Sequence, residues 1–153
     1  MKPRRRTIQT ALIATLLSAI FVGALACSSD DAGESTGLFP IAITDERVET
    51  GSQVYASNCA SCHGTPGVSQ PPLESAPPHD ESGHTWHHAD RLLYQWTLDR
   101  PPLAETMPGF RGVISEDEII ATLAYIKSTW PSNIQEFQNE GSAQYEQQLR
   151  ENP

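Results

Sequence analysis

The sequence predicts an all-α domain built from three main helices and long loops. Three observations carry that expectation. Apolar residues recur at helical spacing in three separate segments, no run alternates with the period of two that a strand needs, and the stretches between are crowded with Gly and Pro. At 153 residues the chain has room for one domain with appendages rather than two.

The N-terminal stretch stands apart from that domain. Lys2, Arg4, Arg5 and Arg6 form a positive head, and Ile8 to Ala26 follow without a charge. This is the layout of a secretory signal. Read instead as an uncleaved span, a segment of this length at ~1.5 Å per residue would just cross a bilayer, but its Thr, Ser and Gln make it a mediocre one. Ala24-Leu25-Ala26 offers a small-x-small cleavage site, and Cys27 follows at once with Ser28, Ser29, Asp30 and Asp31 behind it. That arrangement resembles the lipobox of bacterial lipoproteins, departing from it at Ala24, where the pattern prefers Leu. The resemblance implies that Cys27 becomes the first mature residue and is acylated, holding the protein at a membrane without a spanning helix. Residues 1–26 are therefore read as a signal peptide and 27–43 as a lipidated tether, flexible from Ser28 to Gly37. Leu38 to Ile43 is expected to pack as an extended strip. The implied location is the periplasm or another extracytoplasmic face, anchored to the membrane. Arg6-Thr7-Ile8 match a twin-arginine signal poorly, so the general export route fits better.

Charge narrows the partners. The chain carries a net −9, and loss of Lys2, Arg4, Arg5 and Arg6 with the signal carries it to −13. Nucleic acid is disfavoured, because phosphate binding needs clustered Lys and Arg. An acidic surface suits basic or charge-mixed protein partners and salt-sensitive docking, although much of it serves simple solubility.

The domain proper spans 44–131. Its first helix runs from about Thr44, a capping residue, to Ser57, with Asp45 and Glu46 at the positive end and Val48, Gly51, Val54 and Tyr55 on one face. A middle helix runs from about Asp90 to Leu98, burying Leu92, Leu93 and Trp96. The last is the best defined. Ser115 and Glu118 form a capping box flanked by Ile114 and Ile119, Leu123 and Ile126 continue the stripe, and Pro131 ends it after Trp130. Loops at 64–84 and 99–113 hold the Pro71-Pro72, Pro77-Pro78, Pro101-Pro102 and Pro108-Gly109 pairs. So small a helical domain with loops this long is short of apolar mass. Something else must fill its centre. The tail, 132–153, places Ile134, Phe137, Tyr145 and Leu149 among polar residues and reads equally as one or two loosely packed helices or a docking segment.

Cys59-Ala60-Ser61-Cys62-His63 is the pattern for covalent haem attachment. Two thiols three residues apart at a helix end can both add to haem vinyl groups, and His63 then lies under the iron as its proximal ligand. A bound haem would also supply the missing core. Two other readings compete. A redox disulfide expects a βαβ setting that this helical pattern lacks, and a zinc site wants two further Cys or His at fixed spacing. For the second iron position the candidate is Met107, in the Pro/Gly-rich run Thr106-Met107-Pro108-Gly109-Phe110. A thioether favours Fe(II) and raises the reduction potential; the ordinary alternative is a methionine filling the core.

With these residues in view, 47–130 resembles a class I cytochrome c. Gly51 and Tyr55 match the first-helix positions that pack on an aromatic of the last helix, here Tyr125. Cys59, Cys62, His63 and Gly64 match the attachment site, Met107-Pro108 and Phe110 the distal methionine segment, and Leu123 to Ile126 the closing helix. The resemblance implies a cytochrome c fold around one haem c, with His63 and Met107 on the iron. It also implies a proline carbonyl accepting the His63 Nδ1 proton, for which Pro72 is the first candidate and Pro66 and Pro71 compete.

His79, His84, His87 and His88 surround Trp86 in a cluster that this fold does not require. The plain reading is that Trp86 covers the haem edge or bonds a propionate while the histidines are solvated. The others are a peripheral copper or zinc site, or a histidine replacing Met107. The expected function is outer-sphere transfer of single electrons to redox partners, by a carrier and not an enzyme. The alternatives are a haem subunit of a larger membrane-associated oxidoreductase, or a haem sensor or peroxidase-like protein with an open distal side.

Overall fold

The computed structural model describes residues 38–68 and 70–152. The signal-like stretch, Cys27 and the tether up to Gly37 lie outside these residues. Within them the elements are helical: α1 (Asp45–Asn58), α2 (Ala60–His63), a 3-10 turn (Thr85–His87), α3 (Asp90–Asp99), α4 (Glu116–Ser128) and α5 (Ser132–Glu151). The described residues form no strand, only an isolated bridge between Arg111 and Ile114. None of their helices is long and apolar enough to cross a membrane.

Helix starts follow local chemistry. The Thr44 side chain accepts from Arg47 N ahead of α1. Ser115 and Glu118 form the reciprocal box that opens α4, satisfying two of the donors that a helix leaves free. Burial and the α4 backbone then decide the main crossing. A Cβ on Gly51 would stand 2.0 Å from the Ala121 carbonyl oxygen, so α1 and α4 touch backbone to backbone where any side chain would part them. Tyr55, one turn later, meets Tyr125 edge-on with centroids 5.6 Å apart. The core gathers Phe39 and Ile41 from the leading strip, Tyr55 from α1, Leu93 and Leu98 from α3, and Ile119, Ile120, Leu123, Ala124 and Ile126 from α4, with Trp130 beyond. In α3 the buried apolar side is Leu93 and Leu98, whereas Leu92 and Trp96 are half-buried.

Residues 132–151 form one continuous helix, tied down by polar contacts rather than by a continuous apolar stripe. Asp90 and Lys127, both essentially without solvent exposure, pair at 2.6 Å. Asp90 also accepts from Ile41 N at 2.7 Å and from Gln138 Nε2 at 2.7 Å, while Lys127 donates to Ile41 O and to Asn139 Oδ1. Asp90 N donates to Ser142 Oγ. Burial pulls the Lys127 ammonium below its ordinary range, and Asp90 opposes the shift. Beside this node Arg91 grips Glu146 with two bonds of 2.6 Å and lies over the Phe39 ring. The leading strip, α3, α4 and α5 thus meet at one polar knot.

Candidate functional site

The attachment motif sits where α1 ends. Cys59 N still bonds Tyr55 O, but the chain then starts one further turn, with Cys62 N and His63 N both donating to Cys59 O. Gly64 closes this turn with a positive φ of 71°, a conformation that glycine adopts without cost. One turn brings residues three and four apart onto the same side, so Cys59, Cys62 and His63 line one cavity together.

That cavity has a volume of about 810 Å³, within the usual range of about 300–1,000 Å³ for small-molecule and cofactor sites. Besides the motif, Tyr55 from α1, Leu93 and Trp96 from α3, and Leu123 and Ile126 from α4 supply its walls, and Met107 enters from the loop between α3 and α4. This loop is anchored on α3 by Phe110 N to Thr97 O and Arg111 N to Leu98 O, each 3.0 Å, and by the Arg111–Asp99 pair. The structure therefore brings all four sequence-derived candidates, Cys59, Cys62, His63 and Met107, to a single largely apolar cavity.

Electrostatics set each group's state. Burial, with Cys62 nearby, pushes the Cys59 thiol up to about 11, so it is neutral in this setting. Burial likewise raises the Tyr55 phenol, whose hydroxyl has no hydrogen-bond partner among the described residues. The donor set of two thiols, an imidazole and a thioether around an apolar hollow fits a covalently held haem, and the unbonded Tyr55 hydroxyl belongs to a residue of the same cavity wall.

Three expectations need revision. The carbonyl facing His63 Nδ1 is that of Pro77, at 2.9 Å, not Pro72, Pro66 or Pro71. Pro72 packs against Gly64 instead. His79 is no solvated loop residue. Its ring stacks on His63 with centroids 4.3 Å apart and planes at 20°, and Nδ1 meets Thr85 Oγ1 at 2.7 Å. Burial, reinforced by His63 and opposed by Asp80, pushes it down to about 3, so this imidazole is neutral. Trp86 turns away from the cavity: its indole N–H donates to Glu81 O, and its ring packs on His87 and Phe137 in the wall of a separate groove. Trp96 takes the cavity wall in its place. The His84 ring stacks on His87 and stands edge-on to His88, each pair 4.8 Å apart. Among the described residues no group of three or more His, Cys, Asp or Glu is arranged to hold an ion. Burial and these two neighbours lower His88.

Sequence reasoning named the Pro77-Pro78 pair and His79 but not their contacts with His63, and it passed over Thr85. Their loop has no periodicity to read, and the only available signal was a second Pro pair ahead of a histidine.

Known proteins give the same answer as the geometry. Residues 46–126, just over half of the chain, match the family described as cytochrome C oxidase, cbb3-type, subunit III. A cytochrome c6 of Euglena gracilis is 32% identical over 78 residues, covering 50% of this chain and 85% of that protein. A quinohemoprotein alcohol dehydrogenase of Comamonas testosteroni is 29% identical over 89 residues, 54% of this chain but only 11% of the dehydrogenase. No solved structure matches the chain. With an all-α fold, the Cys-x-x-Cys-His turn and these relatives together, the chain belongs to the cytochrome c oxidase, cbb3-type, subunit III family, as a class I c-type cytochrome with covalently bound haem c that serves electron transfer.

Proposed function

We propose that this protein is a membrane-tethered electron carrier in which Cys59 and Cys62 hold the haem as thioethers and His63 and Met107 ligate its iron. The observation that carries this reading is the shared cavity, with the attachment turn in one wall and the Met107 loop in another. When bound, the haem supplies the one-electron couple. The chain's own residues do the rest. Pro77 O receives the His63 Nδ1 proton, which raises the basicity of the other ring nitrogen and fixes the tautomer. Met107 supplies a soft neutral donor that favours the reduced state and a high potential. Leu93, Leu123 and Ile126 keep water from the cavity. With two protein ligands on the iron no position is open to a substrate, so the protein carries electrons without catalysing a reaction of its own. Cys27 as an acylated anchor and export of the chain complete the proposal, and the net charge, −9 for the whole sequence and −13 once Lys2, Arg4, Arg5 and Arg6 leave with the signal, suits brief encounters with basic or charge-mixed redox partners.

Protein made in a host with the attachment machinery should keep its pigment through extraction with acidified butanone. Its oxidised spectrum should carry the weak sulfur-to-iron charge-transfer band at the red end of the visible range. Met107→Ala should abolish that band and lower the potential, while His63→Ala should disrupt ligation altogether. Pigment lost to the solvent, or a band that survives Met107→Ala, overturns the assignment.

A second reading, a haem subunit of a larger oxidoreductase, is favoured by one observation: the matched part of the Comamonas testosteroni protein is a small fraction of a quinohemoprotein alcohol dehydrogenase. Co-purification with a dehydrogenase or oxidase in mild detergent would separate subunit from free shuttle.

A further inference from the structure

We infer that His79, clamped by Thr85, is a positioning residue that fixes the ring plane of His63; this rests on His63 being the iron's ligand. One hydrogen bond does not set that plane. The Nδ1 contact to Pro77 O, at 2.9 Å, ends on a carbonyl, and carbonyl oxygens accept over a broad range of directions. Within the play that its Cβ tether allows, the imidazole could therefore still tilt about its bond to the metal. A flat group against one face removes that freedom, and His79 lies there, 4.3 Å away and within 20° of parallel.

A plate must itself be rigid to serve, and His79 is held from three elements. Its Nδ1 meets the Thr85 hydroxyl at 2.7 Å, from the 3-10 turn. Its carbonyl accepts the Trp130 indole N–H at 2.9 Å, from beyond α4. Tyr55 of α1 stands edge-on to the ring at 6.1 Å and 74°. Thr85 and Trp130 are themselves buried. If only volume were needed here, an aliphatic side chain would fill the space without the desolvation that a half-buried imidazole incurs. The polar ring makes sense as a flat surface whose edge can be tied.

Groups that orient a metal's ligand tune the metal through it. The plane of an axial imidazole decides how the unpaired electron of the oxidised iron spreads over the porphyrin, and so which part of the haem edge passes the electron on. Proton NMR of the oxidised holoprotein reads that distribution in the haem methyl shifts. His79→Ala and Thr85→Val should each change the order or collapse the spread of those shifts, whereas His79→Phe, which keeps a flat ring but loses the tie to Thr85, should depart from the parent pattern about as Thr85→Val does and less than His79→Ala. The visible spectrum, sulfur band included, should be the same in all four proteins. An unaltered pattern in either His79→Ala or Thr85→Val overturns the inference, as does a His79→Phe pattern as disturbed as that of Ala. Should His79→Ala not fold, Thr85→Val against the parent still decides. A parent protein without thioether-bound haem or without the sulfur band would instead sink the ligand assignment, so the two failures are distinct.

Discussion

The wall around His63 and the knot around Asp90 are both buried, but they are built on opposite principles. The first is an apolar shell about a cavity of about 810 Å³, with the Tyr55 hydroxyl inside the fold and unbonded. The second holds a fully buried Lys–Asp pair, and within it Lys127 donates to Asp90, Ile41 O and Asn139 while Asp90 accepts from Ile41 N, Lys127 and Gln138. In the knot only Gln138 Oε1 lacks a partner among the described residues. One region leaves a cavity for a foreign group to fill, and the other is packed by its own side chains with a single amide oxygen unbonded. The division of labour follows: the haem would fill the shell, and the knot joins the leading strip, α3, α4 and α5 through their own side chains.

The sharpest way to break this contrast is to prevent attachment. A Cys59→Ala/Cys62→Ala double variant should be colourless and should lose cooperative thermal unfolding and near-ultraviolet dichroism, because close-packed interiors do not tolerate a void of this size. A sharp unfolding transition in that variant would show the shell to be self-sufficient after all.

Cutting the knot should cost less and leave the spectrum alone. Lys127→Met strands the Asp90 carboxylate, and removing one partner of a buried pair typically costs about 3–5 kcal/mol. Urea titration of the holoprotein measures the loss. Replacing Asp90 and Lys127 together by apolar residues should recover much of it, since both desolvation penalties then vanish.

Gly51→Ala tests the shell where α1 crosses α4. The added methyl would meet the Ala121 carbonyl at 2.0 Å, and overpacking of this kind costs about 1–3 kcal/mol. The same titration checks it, and a visible spectrum shows whether the displaced α1 also moves the attachment turn.

The smallest effect lies on the surface, away from both regions. Hydrogen bonds from the Ser115 backbone and then its hydroxyl hold Glu118 below its ordinary value of 4.5. A carboxylate depressed by folding contributes stability above that ordinary value and loses it as pH falls through the folded one. The melting-temperature gap between the parent and Glu118→Gln should therefore be present at neutral pH and close as the solution is taken below pH 4.5. A gap that persists in acid would mean that the cap does not depend on the charge.

By itself the sequence determined what depends on neighbours along the chain. The caps at Thr44 and Ser115, the helical stripes of α1 and α4, and the turn that places Cys59, Cys62 and His63 together are local events within one or two turns of helix. The contact of Tyr55 with Tyr125 was legible too, because family resemblance carries such pairs. Tertiary structure alone decided the rest. Pro77 rather than Pro72 faces His63, since two proline pairs in an aperiodic loop look alike until the loop is folded. His79 stacked on His63 while His84 stacked on His87 and met His88 edge-on, with His84 and His88 also lining the cavity, an arrangement that composition could not foretell. Residues 132–151 became a fixed helix because Gln138 and Ser142 reach Asp90 across some fifty positions. Polar side chains look solvent-exposed in a sequence; only a partner brought from far along the chain makes them core.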